Sequence, residues 1–170
     1  MQPADLVPYI PQLRRYARAL TGDAWAADDL VQDTLERACG RWQRWRAGDL
    51  RAWLFTVMHN LFVDGVRRAR RHEGQRVDLD DAAGDLAAAA APPEQMLDLQ
   101  RCLMRLPDDQ REVLLLVTLE DLAYADVARI TGTPVGTVMS RLSRARSRLR
   151  ELMDAAPRAS AAVVPLKRMK

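Results

Sequence analysis

Cysteine is scarce in this chain: Cys39 and Cys102 are the only two, far apart and with no CxxC or Cys/His companion at metal-ligand spacing. That pattern argues against a disulfide framework or a metal site and reads as two buried, reduced thiols. Aromatic residues make up 5% of the chain and β-branched runs are rare, so little sheet is expected. The longest apolar stretches, around Leu86 to Ala91 and Val113 to Leu119, fall far below the roughly 20 residues that span a bilayer. The N-terminus shows no basic-then-apolar leader, and the expectation is a cytoplasmic protein without membrane insertion. GxSxG, Walker A, GxGxxG and HExxH patterns are all missing. The acid pairs Asp28-Asp29 and Asp80-Asp81 have no base beside them, and neither His59 nor His72 has a metal-spaced companion. Catalysis has no candidate residue, and the chain reads as a non-enzyme that needs no cofactor or metal.

What remains is apolar and basic. Apolar residues supply 48% of the 170, dominated by Ala and Leu, and Arg dominates the charge. The fold class expected is all-α, and the length suits two small helical domains. The formal charge of +3 hides its distribution. Arg41 to Arg76 holds nine arginines against three acids, and Asp126 to Arg150 holds six against one. Between these blocks, Val77 to Gln100 carries six acids and no base. Two basic blocks around an acidic one suggest two separate polyanion-binding surfaces, because clustered Arg neutralises phosphates and releases their counterions.

Helical spacing of Tyr9, Leu13, Tyr16, Ala17 and Leu20 predicts a first helix over Leu6 to Leu20, stopped by Gly22. Asp23 caps a second, which runs to about Ala38 before Gly40 and lines one side with Trp25, Ala26, Leu30, Val31, Leu35 and Ala38. Its other side shows Asp28, Asp29, Gln32, Asp33 and Glu36. A connection containing Trp42, Trp45 and Gly48 follows. Asp49 then caps a long third helix whose stripe is Leu50, Trp53, Leu54, Val57, Met58, Leu61 and Phe62. A first domain over 1–72 results. Residues 73–93 read as a flexible acidic linker closed by Pro92-Pro93. As a coil, roughly 20 residues span about 25 Å on average.

A second domain over 94–155 opens with Glu94 to Leu106, broken by Pro107. Asp109 and Glu112 have the spacing of a capping box before Val113, Leu114 and Val117. Two helices, about Tyr124 to Thr131 and Pro134 to Met153, flank Gly132-Thr133 as in a helix-turn-helix, with Thr133 as cap and Pro134 at the first helical position. Ala123 supplies no capping hydroxyl, so Asp121 is the alternative cap there. The tail 156–170 reads as disordered.

Two faces carry the chemistry. On the last helix Val138, Leu142, Ala145, Leu149 and Leu152 face a core, which turns Gly136, Met139, Ser140, Ser143, Arg144 and Ser147 outward. Small groups near its N-terminus let backbone approach DNA, and hydroxyls and Arg suit base edges or phosphates in a major groove. Arg141, Arg144, Arg146, Arg148 and Arg150 meet no acid along the helix until Glu151. On the third helix Asn60, Asp64, Arg67, Arg68 and Arg71 form one polar row away from the apolar stripe, able to hold separated bases and their phosphates.

Three segments, DDLVQDTLERA at 28–38, RAWLFTVMHNLFVDGVRRARR at 51–71, and LPDDQREVLLL with YADVARITGTPVGTVMSRLSRARSRLRE at 106–116 and 124–151, together resemble the extracytoplasmic-function group of bacterial sigma factors. The resemblance implies that Asp28, Asp29, Leu30, Gln32, Asp33 and Leu35 bind core RNA polymerase. It gives the melted −10 element of promoter DNA to Arg46, Asp49, His59, Asn60, Asp64, Arg67, Arg68 and Arg71. The double-stranded −35 element falls to Thr133, Gly136, Thr137, Met139, Ser140, Ser143 and Arg144. It also implies control by an anti-sigma factor. Met139 stands where many relatives carry Arg, and Asp121 replaces a common Gly. The alternatives are a helix-turn-helix regulator acting without polymerase and a sigma-like decoy that binds an anti-sigma protein.

Overall fold

The computed structural model describes residues 3–41, 49–73 and 94–155, and these are helical throughout apart from short turns. A 3-10 turn, Pro3–Tyr9, leads into α1 (Ile10–Thr21), α2 (Ala24–Arg41) and α3 (Leu50–Glu73). The second half holds α4 (Glu94–Met104), α5 (Asp108–Thr118), α6 (Tyr124–Thr131) and α7 (Val135–Ala155). Of the expected linker 73–93, Glu73 belongs to α3, and 74–93, the tail 156–170 and the connection with Trp42, Trp45 and Arg46 lie outside the described residues.

The first helix starts later than its apolar spacing suggests. Pro8 has no N–H to donate, and the chain up to Tyr9 takes the tighter 3-10 winding instead. From Ile10 the period holds, and Leu13, Tyr16, Ala17 and Leu20 are buried. Gly22 ends α1 at φ 74°, with its N–H on the Arg18 carbonyl at 3.0 Å. Asp23 caps α2 through Oδ1, which accepts from Ala26 N at 2.7 Å. The buried face of α2 is Ala27, Val31, Thr34 and Ala38. Trp25, expected inside, is 84% exposed, and Ala26 is exposed too. Small residues on the inner face let α2 lie close against α1, which a Trp there would prevent. Gly40 does not stop α2, which continues to Arg41.

Asp49 caps α3, its Oδ1 accepting from Arg51 N at 2.9 Å. Leu54, Phe55, Met58 and Leu61 are buried on α3, while Leu50, Trp53, Val57 and Phe62 are half-buried. Phe55, absent from the expected stripe, meets the Tyr16 ring edge-on at 5.1 Å. Cys102 is buried but Cys39 is exposed, against the reading of both as core thiols.

In the second half the capping box does not form. Pro107 occupies the cap position of α5 without a side-chain bond, and its carbonyl accepts from Gln110 and Arg111. Asp109 instead pairs with Arg141 of α7 at 3.0 Å, which also gives that arginine the acid its own helix does not supply. Thr133 does not cap α7 either: its hydroxyl bonds that of Thr131 at 2.9 Å, and Pro134 holds the cap position through its carbonyl. Ala123 precedes α6 with no side-chain cap, and Asp121 does not replace it. Asp121 sits at φ 50°, the left-handed region in which a Gly is strain-free.

The two halves share a core. α1 packs on α4 and α5, and α3 packs on α6. Buried residues from Leu6 to Met58 and from Cys102 to Leu152 form one apolar cluster. Tyr16 lies inside it, and its hydroxyl has no hydrogen-bond partner among the described residues. Burial, and then the nearby carboxylates of Glu112 and Glu120, push the phenol well above its ordinary pKa, so the ring stays neutral.

Two stability outcomes follow from these positions. Tyr16→Phe removes an unpaired buried hydroxyl and should leave stability unchanged or raise it by up to about 1 kcal/mol in urea unfolding; a loss larger than that would show an unseen partner. Gly22→Ala forces an L residue into the left-handed region against Met104 and should cost about 1–2 kcal/mol in the same measurement.

Candidate promoter-binding surfaces

The third helix separates its two jobs by face. Leu54, Met58 and Leu61 point inward, and Asn60, Asp64, Arg67, Arg68 and Arg71 stand exposed along the outer side. Arg68 Nε donates to the Asp64 carbonyl at 3.3 Å and Arg71 Nε to the Arg67 carbonyl at 3.2 Å. Each guanidinium is thereby steadied along the helix. Asp49, the residue immediately before α3, is spent on its N-cap.

His59 departs from this row. Its side chain is 14% exposed, and Nδ1 lies 2.5 Å from Glu112 Oε1 across the junction of the halves. One position along a helix turns a side chain by about 100°, which takes His59 off the face that Asn60 occupies. Arg46 lies outside the described residues.

A residue not expected at this site joins it from α2. Arg37 lines a cavity of about 290 Å³ with Leu61, Asp64, Arg68 and Arg71. Leu61 supplies an apolar floor, Asp64 an acceptor, and three guanidiniums surround them, a set able to take one unstacked base with its phosphate. No local period in the sequence joins Arg37 to α3; only the packing of α2 on α3 does.

On α7, Val138, Leu142, Ala145 and Leu152 are buried and Leu149 is half-buried, so the opposite face is open. Gly136, Met139, Ser140, Ser143 and Arg144 are exposed on it, while Thr133 and Thr137 are half-buried. A Cβ on Gly136 would meet nothing, so close approach to that turn is free. Arg144 is held against Ser140, donating to its carbonyl at 3.2 Å and its hydroxyl at 3.3 Å. Met139 is 53% exposed beside Ser140 and offers an apolar contact where an arginine would offer a charge. A shallow cavity of about 270 Å³ adds Tyr124 of α6 to Arg146, Ser147 and Arg150 of α7, extending the surface beyond the residues expected.

The acidic outer face of α2 is as expected for Asp28, Asp29, Gln32 and Asp33, all exposed. Asp28 is shared with Arg14 at 3.0 Å, and Gln32 donates to Glu36 at 2.9 Å. Leu30 and Leu35 are only half-exposed and pack against the core. Trp25, unforeseen here, stands at the start of this same helix, open to solvent.

A third feature crosses both halves. An apolar groove of about 860 Å³ runs between α1, α4, α5 and α7, with Ile10, Leu99, Leu103, Leu115 and Leu149 in its walls and Arg14, Arg15, Arg18 and Arg146 around them. Met96 and Leu99 remain exposed at its side. No helix among the described residues is long and apolar enough to cross a membrane, and no cluster of His, Cys, Asp and Glu among them could hold a metal.

Residues 6–59 match the model of the Sigma2 domain of PhyR, and residues 96–149 match sigma-70 region 4. The ECF RNA polymerase sigma factor EcfG of Rhodopseudomonas palustris is 41% identical over 156 residues, covering 88% of this chain and 83% of that protein. The ECF sigma factor SigC of Mycobacterium tuberculosis is 39% identical over 145 residues, covering 82% and 75%. Among solved structures, the sigma factor RpoE of Bartonella quintana, crystallised with the anti-sigma factor NepR, superposes with a TM-score of 0.77 at 34% identity, covering 90% of this chain and 96% of RpoE. With an all-helical pair of matched regions, an exposed polar row on α3 and an exposed face on α7, the chain belongs to the extracytoplasmic-function RNA polymerase sigma factors.

Proposed function

We propose that this sigma factor divides promoter reading between two helices of one chain. The outer row of α3, Asn60, Asp64, Arg67, Arg68 and Arg71, takes the melted −10 strand together with Arg37. The open face of α7, from Gly136 to Arg144, takes the −35 duplex. The observation that supports this most directly is the pairing of two exposed, arginine-bearing faces, each backed by a buried stripe that fixes its direction. Residues 1–72 act as the polymerase and −10 module, 94–155 as the −35 module, and 73–93 as the tether. Strand opening draws on binding energy alone, and no residue has a catalytic part.

The acidic face of α2, through Asp28, Asp29, Gln32 and Asp33, suits a basic helix of core RNA polymerase. Trp25 gives that face a large apolar anchor, the residue type that dominates interface energetics. The groove between α1, α4, α5 and α7 is shaped for the amphipathic helix of an anti-sigma factor, with acids meeting Arg14, Arg18 and Arg146. The match of the first half to a domain of PhyR favours one other reading, a sigma-like decoy that holds an anti-sigma factor without reading DNA. The exposed arginines of both faces speak against it, since a decoy has no phosphates to meet.

Run-off transcription with purified core polymerase on pooled genomic promoters separates the readings. Transcripts that require this chain, and that fall at least tenfold with Asn60→Ala or Arg144→Ala, are the expected result. Duplex binding by the chain alone, without transcripts, would replace the sigma reading with a polymerase-independent regulator. Arg37→Glu should weaken binding of a single-stranded −10 oligonucleotide about tenfold and make it less salt-dependent, while −35 duplex binding stays as in the parent. Equal loss on both DNAs would remove Arg37 from the −10 site.

A further inference from the structure

The outer side of α7 is not uniform. Val135 and Met139, four residues apart, are 42% and 53% exposed and stand in one row at the N-terminal end of the helix. Gly136, Ser140 and Arg144 form the row beside it, with Arg144 Nε on the Ser140 carbonyl at 3.2 Å. One track is therefore apolar and its neighbour polar and basic. At its far end the apolar track opens on the shallow cavity that Met139 lines with Tyr124 and Ser143.

The fold gives no reason for the apolar track. Val138, Leu142 and Ala145 already fill the side of α7 that faces the core. An isopropyl group and a thioether left in water forgo the stabilisation that burial gives. Exposed apolar residues scattered singly need no explanation, but these two lie in register, on the outer face of a helix rich in Arg and Ser. Side chains that break the local pattern without serving the core are where function is expected.

Of the groups that bases show in a major groove, only the C5-methyl of thymine is apolar. Guanine, adenine and cytosine present hydrogen-bonding groups there, which Val and Met can only strip of water. The spacing suits bases as well. Four residues rise about 6 Å along a helix and stacked bases lie about 3.4 Å apart, so the two side chains reach over about two base-pair steps. The unbranched, polarizable Met side chain adapts to a methyl group without demanding one fixed geometry.

We infer that Val135 and Met139 are a thymine-reading strip, each packing on the C5-methyl of one thymine in the −35 duplex while Ser140 and Arg144 take the hydrogen-bonding edges beside them. The inference rests on the assignment of the −35 duplex to this face proposed above. It gives Met139 a specificity-determining role: thymine is selected through its methyl group, and cytosine is rejected because it puts a hydrogen and an amino group where Met offers no acceptor of comparable strength. A methyl group placed on C5 of cytosine supplies the same apolar contact.

The test is equilibrium binding of the holoenzyme, core polymerase with this chain, to a promoter fragment that run-off transcription shows to need the chain. A competing fragment carries deoxyuridine for thymine in the −35 element, which removes the methyl and leaves every hydrogen-bonding group in place. One buried methyl corresponds to about fourfold in affinity, so the parent should prefer thymine about fourfold at each of two positions and about fifteenfold when both are replaced. Met139→Ala should abolish the preference at one position and Val135→Ser at the other; both side chains are exposed, and circular dichroism checks that the variants remain helical. Arg144→Ala should weaken binding to both fragments alike and keep the preference. At a position where cytosine in place of thymine weakens binding, 5-methylcytosine should recover about fourfold. A parent that binds thymine and deoxyuridine fragments equally, or a preference that survives both substitutions, overturns the strip. Equal loss on both fragments with Met139→Ala assigns that side chain to a protein contact and likewise overturns it. A parent holoenzyme indifferent to scrambling of the whole −35 element removes the −35 reading itself and the strip with it, an outcome distinct from the other two.

Discussion

One buried carboxylate organises the meeting of the two halves. Glu120 has no exposed side-chain surface, yet it comes at a turn between α5 and α6 where the chain is otherwise free to face water. An ionised carboxylate is tolerated there only because both oxygens are occupied by guanidiniums, Arg15 from α1 and Arg51 from α3. That requirement fixes the relative placement of α1, α3 and the helix-turn-helix more sharply than apolar packing would. A carboxylate shifted by a few ångströms loses both of its partners. Phe55 and Tyr16, between those arginines and the core, complete the frame.

Local patterns in the sequence carried the helices and the two exposed arginine-bearing faces, and did not carry the junction between halves. Leu13, Tyr16, Ala17 and Leu20 recur at helical spacing and are buried as that spacing demands. The row from Asn60 to Arg71 and the face from Gly136 to Arg144 are likewise opposite buried stripes, so periodicity alone orients them. Size misled the reading of α2, where Trp25 drew the apolar side one position away from the stripe Ala27, Val31, Thr34 and Ala38. Small residues that permit close helix approach leave a weaker mark on a hydropathy pattern than one exposed Trp.

Where the reading failed more deeply, the cause was a partner distant in sequence. Glu112 has the spacing of a capping-box residue, but its carboxylate meets His59 across 53 positions. Asp109, its supposed companion, is taken by Arg141. The resemblance gave His59 to the −10 residues, but its side chain is largely buried and meets Glu112 of the other half. Arg37 is the converse case, a residue with no local signal that packing brings beside Asp64, Arg68 and Arg71 of α3.

The polar character of the junction bears on what the fold is for. A permanent contact between two small domains gains most from apolar surface, because paired buried charges contribute little net stability once their desolvation is counted. Here the contact combines an apolar cluster with ion pairs whose basic members are partly in water even when closed. Such pairs lose little when they separate and rehydrate, so they define one arrangement without making it irreversible.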